Sequence, residues 1–126
     1  MKLQTFQFGE VEYSEDLIID FSSGLLGFEN LKKYLLIKPE DDIFYWLYSI
    51  DQPEIAFPLI GASVLDENYP KISNFEPFGI VTLNNDPLKV TVNLKAPVYI
   101  NQETKNGHQK ILEEQDYDVN FKLFIE

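Results

Sequence analysis

From Leu88 to Lys95 the chain alternates strictly, with Leu88, Val90, Val92 and Leu94 on one parity and Lys89, Thr91, Asn93 and Lys95 on the other. A period of two is the signature of a strand with one buried face. Ala96-Pro97 interrupts it, because proline has no N–H to donate to a ladder. Val98 and Ile100 resume the same apolar parity. The Asn106-Gly107 pair that follows is a hairpin signal whose turn requires positive φ.

The rest of the chain also reads as short strands. Leu3–Phe8 alternates and is expected to turn at Gly9-Glu10 and pair back through Val11–Tyr13. Leu17–Phe21 and Tyr34–Ile37 are strands, separated by a glycine-containing loop and a helical turn at Glu29–Lys33. Ile43–Ile50 and Ile55–Leu59 form a hairpin around Asp51-Gln-Pro-Glu54, and Phe78–Leu83 meets Leu88–Leu94 across Asn84-Asn-Asp-Pro87. Phe121–Ile125 is a terminal strand, and residues 61–77 are expected to be a surface loop. Both parities of Phe44–Ile50 are apolar or aromatic, so that strand belongs at the centre of the sheet. Strands at this spacing predict an all-β, single-domain antiparallel barrel-like fold over residues 1–126, with at most one or two short helices.

A formal net charge of −11, from 21 acidic and 10 basic side chains, narrows the partners. It opposes direct contact with nucleic acid or anionic lipid, both of which rely on Lys and Arg. It favours encounter with a basic protein. At 126 residues the chain is long enough to bury a core without staples, and it has no cysteine. The first residues alternate like a strand rather than a signal peptide, and no apolar run reaches the roughly 18–20 residues that span a bilayer. A soluble cytoplasmic protein is the expectation.

Candidate chemistry is sparse. His108 is the only histidine, lies beside the Asn-Gly turn and has no nucleophile or orienting partner in its vicinity along the chain. Glu40-Asp41-Asp42 and the acidic run from Glu113 to Asp118 lack calcium-loop spacing and read as solvated, partner-facing rims. Gly24-Leu-Leu-Gly-Phe28 is too short for a phosphate loop and reads as a structural turn with an apolar plug. No catalytic, metal or cofactor set is expected. The aromatic strand, Phe44 to Tyr48, reads as core. Asn93, Tyr99 and Asn101, opposite in parity to the apolar positions, read with Lys95 as an exposed polar-aromatic stripe, with Tyr99 the candidate exposed aromatic.

Thr91-x-Asn93-Leu94-x-Ala96-Pro97-Val98-x-Ile100-Asn101, with Gly107 and Gln109 downstream, resembles the signature strand and hairpin of the FliW family of flagellar assembly factors. Gly24, Gly27 and Phe28 resemble the family's Gly-x-x-Gly-Phe turn, and the strand around Trp46 and the Ile55-Ala-Phe57 segment resemble its central aromatic strands. Between Phe57 and Phe78 this chain is shorter than the family pattern. The resemblance implies a non-enzymatic factor with two partners, flagellin and the translational regulator CsrA, exchanged so that flagellin level controls release of CsrA repression. The −11 charge, rather than any family motif, nominates the acidic Asp41 and Asp42 to face CsrA, and the stripe of Asn93, Tyr99 and Asn101 is the candidate contact for flagellin. The competing reading is a small all-β ligand- or carbohydrate-binding domain, or a minor enzyme, with an aromatic-lined barrel mouth.

Overall fold

The computed structural model describes residues 1–125. Its strands are β1 (Lys2–Thr5), β2 (Gly9–Glu12), β3 (Ile19–Asp20), β4 (Lys33–Ile37), β5 (Tyr45–Ser49), β6 (Ala56–Gly61), β7 (Glu76–Thr82), β8 (Thr91–Asn101), β9 (Asn106–Gln109) and β10 (Phe121–Lys122). The strands β8-β7-β6-β5-β4-β3-β9 run in that order, and β9 pairs back to β8 to close a seven-stranded barrel. The all-β barrel expectation holds, with one four-residue helix, α1 (Ala62–Leu65). Closure departs from pure antiparallel pairing at a single point. There β3 meets β9 in parallel through Asp20 and Asn106, and the Asp20 N–H donates to the Lys105 carbonyl at 2.9 Å.

The alternation along each strand divides side chains between the lumen and the outer wall. Tyr34, Leu47, Leu59, Phe78, Val98 and Ile100 fill the lumen as part of one core cluster. Burial pushes the Tyr34 phenol up to about 12. The outer wall is apolar too, and it is covered twice. The separate β1–β2 hairpin lays Leu3 over Leu35, Trp46 and Tyr48, with Phe8 edge-on to both Trp46 and Tyr48. On the other side, the segments following β6 and β9 cover Ile60, Val81, Val92 and Leu94 with Tyr69 and Leu112. This explains why both parities of β5 are apolar: each faces a core.

The long strand β8 does not keep one apolar parity. Phe78 pairs with Val98, but Ile80 pairs with Asn93, so two steps along β7 correspond to five along β8. The three extra residues form an odd insertion, which exchanges the strand's faces. Val90, Val92 and Leu94 therefore lie in the outer core, while Val98 and Ile100 lie in the lumen. Opposite the bulge stands Gly79, where a Cβ would collide with Val92 and crowd the Asn93 carbonyl. Pro97 sits inside β8 rather than ending it. Its position in the bulge removes the need for a ladder N–H, and its carbonyl still accepts from the Lys110 N–H at 3.1 Å.

Other expectations need correction. Leu88 lies in a 3₁₀ turn at Pro87–Lys89, capped by the Asp86 carboxylate, and is exposed. Residues 61–77 are not a plain surface loop, because Tyr69 is fully buried and donates its hydroxyl to the Leu94 carbonyl. The Leu17–Phe21 strand shrinks to Ile19–Asp20 behind a 3₁₀ turn, and the first hairpin turns at residues 6–8, with Thr5 paired to Gly9. The Glu29–Lys33 segment forms turns without a helix, and the final strand is limited to Phe121–Lys122.

Gly107 is required for a reason other than backbone angle. The positive φ of the β8–β9 turn falls on Lys105, at 59°. A Cβ on Gly107 would meet three ring carbons of Phe21 at under 3.0 Å. Gly107→Ala is therefore expected to cost about 1–3 kcal/mol by overpacking, read as a lower urea midpoint. Phe21→Leu in the same chain should recover part of that loss. Additive effects of the two substitutions would rule out the ring contact as the cause.

Candidate partner-binding surface

Several motif residues scattered through the sequence converge on the bulge. Gly24 and Gly27 take positive φ, at 66° and 86°, and fold Leu25–Phe28 into a tight turn. Leu25 is buried in the lumen core, and Phe28 packs edge-on against Phe57 at 5.2 Å. Gln109 ties this turn to β8. Its Oε1 accepts from the Leu26 N–H at 2.8 Å, and its Nε2 donates to the Ala96 carbonyl at 2.9 Å. Leu94, Ala96 and Pro97 are buried beside it. Trp46 is anchored by its Nε1, which donates to the Asp42 carboxylate at 3.2 Å.

The expected polar-aromatic stripe is not a free surface. Asn93 Oδ1 accepts from the Lys95 and Ala96 N–H groups, both at 3.0 Å, and so holds the bulge from within. Tyr99 is only 1% exposed, and its hydroxyl donates to the Pro70 carbonyl at 2.9 Å. The exposed-aromatic expectation fails because the segment after α1 folds back over the outer wall. Asn101 is buried as well, and its Oδ1 accepts from the Glu103 and Thr104 N–H groups to shape the hairpin loop. All three residues build the surface from beneath.

His108 is half-buried. It stacks on Tyr99 with ring centroids 5.5 Å apart and meets Phe75 edge-on at 5.2 Å. Burial, reinforced by Lys110, holds its pKa below the ordinary histidine value.

The two acidic loops serve different purposes. Asp41 is exposed, but Asp42 is occupied by Trp46 and by the Phe44 N–H at 2.9 Å. The Glu113–Asp118 loop is fastened by Lys95 Nζ donating to the Gln115 carbonyl and by Tyr117 donating to Asp66, leaving Glu113, Glu114, Asp116 and Asp118 in solvent. Among the described residues, no group of His, Cys, Asp or Glu side chains is placed to hold a metal ion. No described helix is long and apolar enough to cross a membrane. The lumen is packed with side chains, so the aromatic-lined mouth of the competing reading is filled.

Sequence reasoning missed a groove beside the acidic 38–43 loop. Tyr45, Ile60, Leu65 and Leu123 line about 430 Å³ where β5 and β6 meet α1, and Glu76 stands at its edge. Ile43 and Val64, 56% and 80% exposed, flank it. The neighbouring exposed positions lie far apart along the chain, so no local pattern marks them.

The family model described as FliW protein matches residues 2–123. The chain belongs to the FliW family. A flagellar assembly factor FliW from Lachnospira eligens is 34% identical over 143 residues, covering 98% of this chain and 95% of that protein. One from Caldicellulosiruptor saccharolyticus is 37% identical over 131 residues, covering 93% of this chain and 86% of the relative. A crystal structure of the flagellar assembly factor FliW superposes with a TM-score of 0.88 at 28% identity, covering 99% of this chain and 98% of the other. Several of the FliW motif residues quoted from the sequence, among them Asn93, Ala96, Pro97, Gly24, Gly27 and Gln109, assemble the bulge, the Gly24 turn and the Gln109 clamp.

Two measurements test this assembly. Asn93→Ala leaves two N–H groups in the bulge without their acceptor and should destabilise by about 1–3 kcal/mol. Asn93→Asp keeps the acceptor and should lose far less in the same melts. For His108, the lowered pKa means that the fold prefers the neutral ring. The unfolded chain binds the proton first, so this contribution to stability is full above about pH 6.5 and declines as pH falls toward the depressed folded value. The stability difference between the native chain and His108→Gln should shrink across that window. A pH-independent difference would show that burial does not bias the ring.

Proposed function

We propose that this chain acts in the cytoplasm as a flagellar assembly factor, a single non-enzymatic FliW-like domain over residues 1–126 that binds flagellin and the translational regulator CsrA in turn. Family membership across nearly the whole chain carries the reading. The side-chain-filled barrel is consistent with a role in binding other proteins. Flagellin occupies the factor when abundant, and its export frees the factor to restrain CsrA. The acidic body supports that second step physically. A net charge of −11 placed beside an RNA-binding protein repels an approaching phosphate backbone.

On this reading, contact falls to side chains that are exposed. Asp41 and its neighbour Glu40 are exposed and free to steer a basic partner, whereas Asp42 is committed to Phe44 and Trp46. Asn93, Tyr99 and Asn101 enter as positioning residues beneath the surface. The CsrA association rate should fall as salt rises from about 0.1 to 1 M, because the screening length contracts from about 10 to 3 Å. Glu40→Lys with Asp41→Lys should slow that association several-fold while leaving flagellin affinity nearly unchanged. Stopped-flow rates for both partners across the salt series provide the check, and a salt-independent CsrA rate would refute steering.

A further inference from the structure

The groove between β5, β6 and α1 combines two features that together specify an occupant. Its walls are mostly apolar, and it continues past Leu65 and Leu123 into a second furrow where Phe121 and Ile125 stand beside the polar Asp118, Asn120 and Lys122. An elongated, mostly apolar channel suits a stretch of polypeptide better than a compact small molecule. The second feature is Glu76. An added Cβ at Gly61 would lie 3.8 Å from its Oε2, and its carboxylate also acts on the Tyr45 phenol. Glu76 is exposed at the groove's rim, where partial desolvation raises its pKa and Gln102 offsets part of that rise.

No cation of this chain neutralises it among the described residues, where Lys2–Glu10 is the ion pair present. Lys38, on the groove's rim, is committed elsewhere. Its Nζ donates to the Pro39 and Asp42 carbonyls and lies 5.6 Å from the centre of the Tyr45 ring. Exposed Glu40 and Asp41 extend the negative rim from the same loop. A membrane would meet the chain's large negative charge, and an acidic peptide would meet Glu76 directly.

We propose that this groove receives an amphipathic segment of a partner protein, seating its apolar side chains on Tyr45, Ile60, Leu65 and Leu123 and pairing one lysine or arginine with Glu76. The assignment rests on the reading of the chain as a factor that binds flagellin and CsrA, and it locates one of those contacts. Exposed Ile43 and Val64 become covered in the complex, which accounts for large apolar side chains standing in solvent beside a groove.

Purified flagellin and CsrA, each titrated against the chain by calorimetry, provide the test. Val64→Asp places a charge on an 80% exposed position, so it should preserve the fold by circular dichroism. It should weaken binding of the groove's partner by about tenfold or more. Glu76→Gln should weaken the same partner several-fold and flatten its salt dependence. Leu83→Asp, an exposed apolar position outside the groove, should leave both affinities unchanged. Native affinity for both partners in both groove variants would overturn the groove while leaving the assembly-factor reading intact. Failure of the unsubstituted chain to bind either protein would overturn that reading and this occupant together. Loss with Val64→Asp but not Glu76→Gln would overturn the cation pairing.

Discussion

The odd insertion in β8 is the constraint from which the rest of the architecture follows. A strand of eleven residues with unbroken parity would present one apolar face along its whole length. Three extra residues opposite Gly79 allow the same strand to contribute first to the outer core and then to the lumen. Such a crossing leaves backbone groups without ladder partners, and buried ones would each cost on the order of 1–3 kcal/mol. The chain supplies those partners from well-separated places. Asn93 satisfies two N–H groups, Gln109 takes the Ala96 carbonyl, the Leu94 N–H reaches the Asp118 carbonyl and Tyr69 donates to the Leu94 carbonyl.

This arrangement links the fold to its surface. Because Gln109 also holds Leu26, the Gly24–Phe28 turn is seated by the same side chain that steadies the bulge. Because Tyr69 reaches Leu94, the segment after α1 is drawn down over the outer wall, and Tyr99 is buried beneath Pro70. The groove forms where this covering layer gives way between α1 and the 38–43 loop. A family signature concentrated in residues 91–109 is therefore a signature of packing. The exposed acidic residues Glu40 and Asp41 lie on a loop outside it, where sequence is under weaker structural restraint.

Much of the architecture was legible along the chain because its signals are local. Alternation around Val92, the two aromatic parities of Tyr45–Tyr48 and the proline- and asparagine-rich turns each act within a few residues, and they specify strands, the hairpins that join them and a barrel-like fold. The glycine turn at Gly24–Phe28 was legible for the same reason, since positive φ at Gly24 and Gly27 is a local requirement. Composition likewise determined an acidic, cysteine-free chain.

What tertiary structure alone decided concerns which atoms occupy the far side of each strand. Parity predicts that Tyr99 and Asn101 face away from Val98 and Ile100, and they do, but it does not reveal that a distant segment covers that side. Gly107 carries the same lesson, because its requirement comes from the Phe21 ring, a residue 86 positions away in sequence (107 − 21), rather than from its own backbone angle. His108, Glu76 and Val64 acquire their environments through chain crossings in the same way. Local sequence sets backbone direction and alternation within a few residues. Burial and the free surface depend on long-range packing, and that is why the strands could be read and the exposed side chains could not.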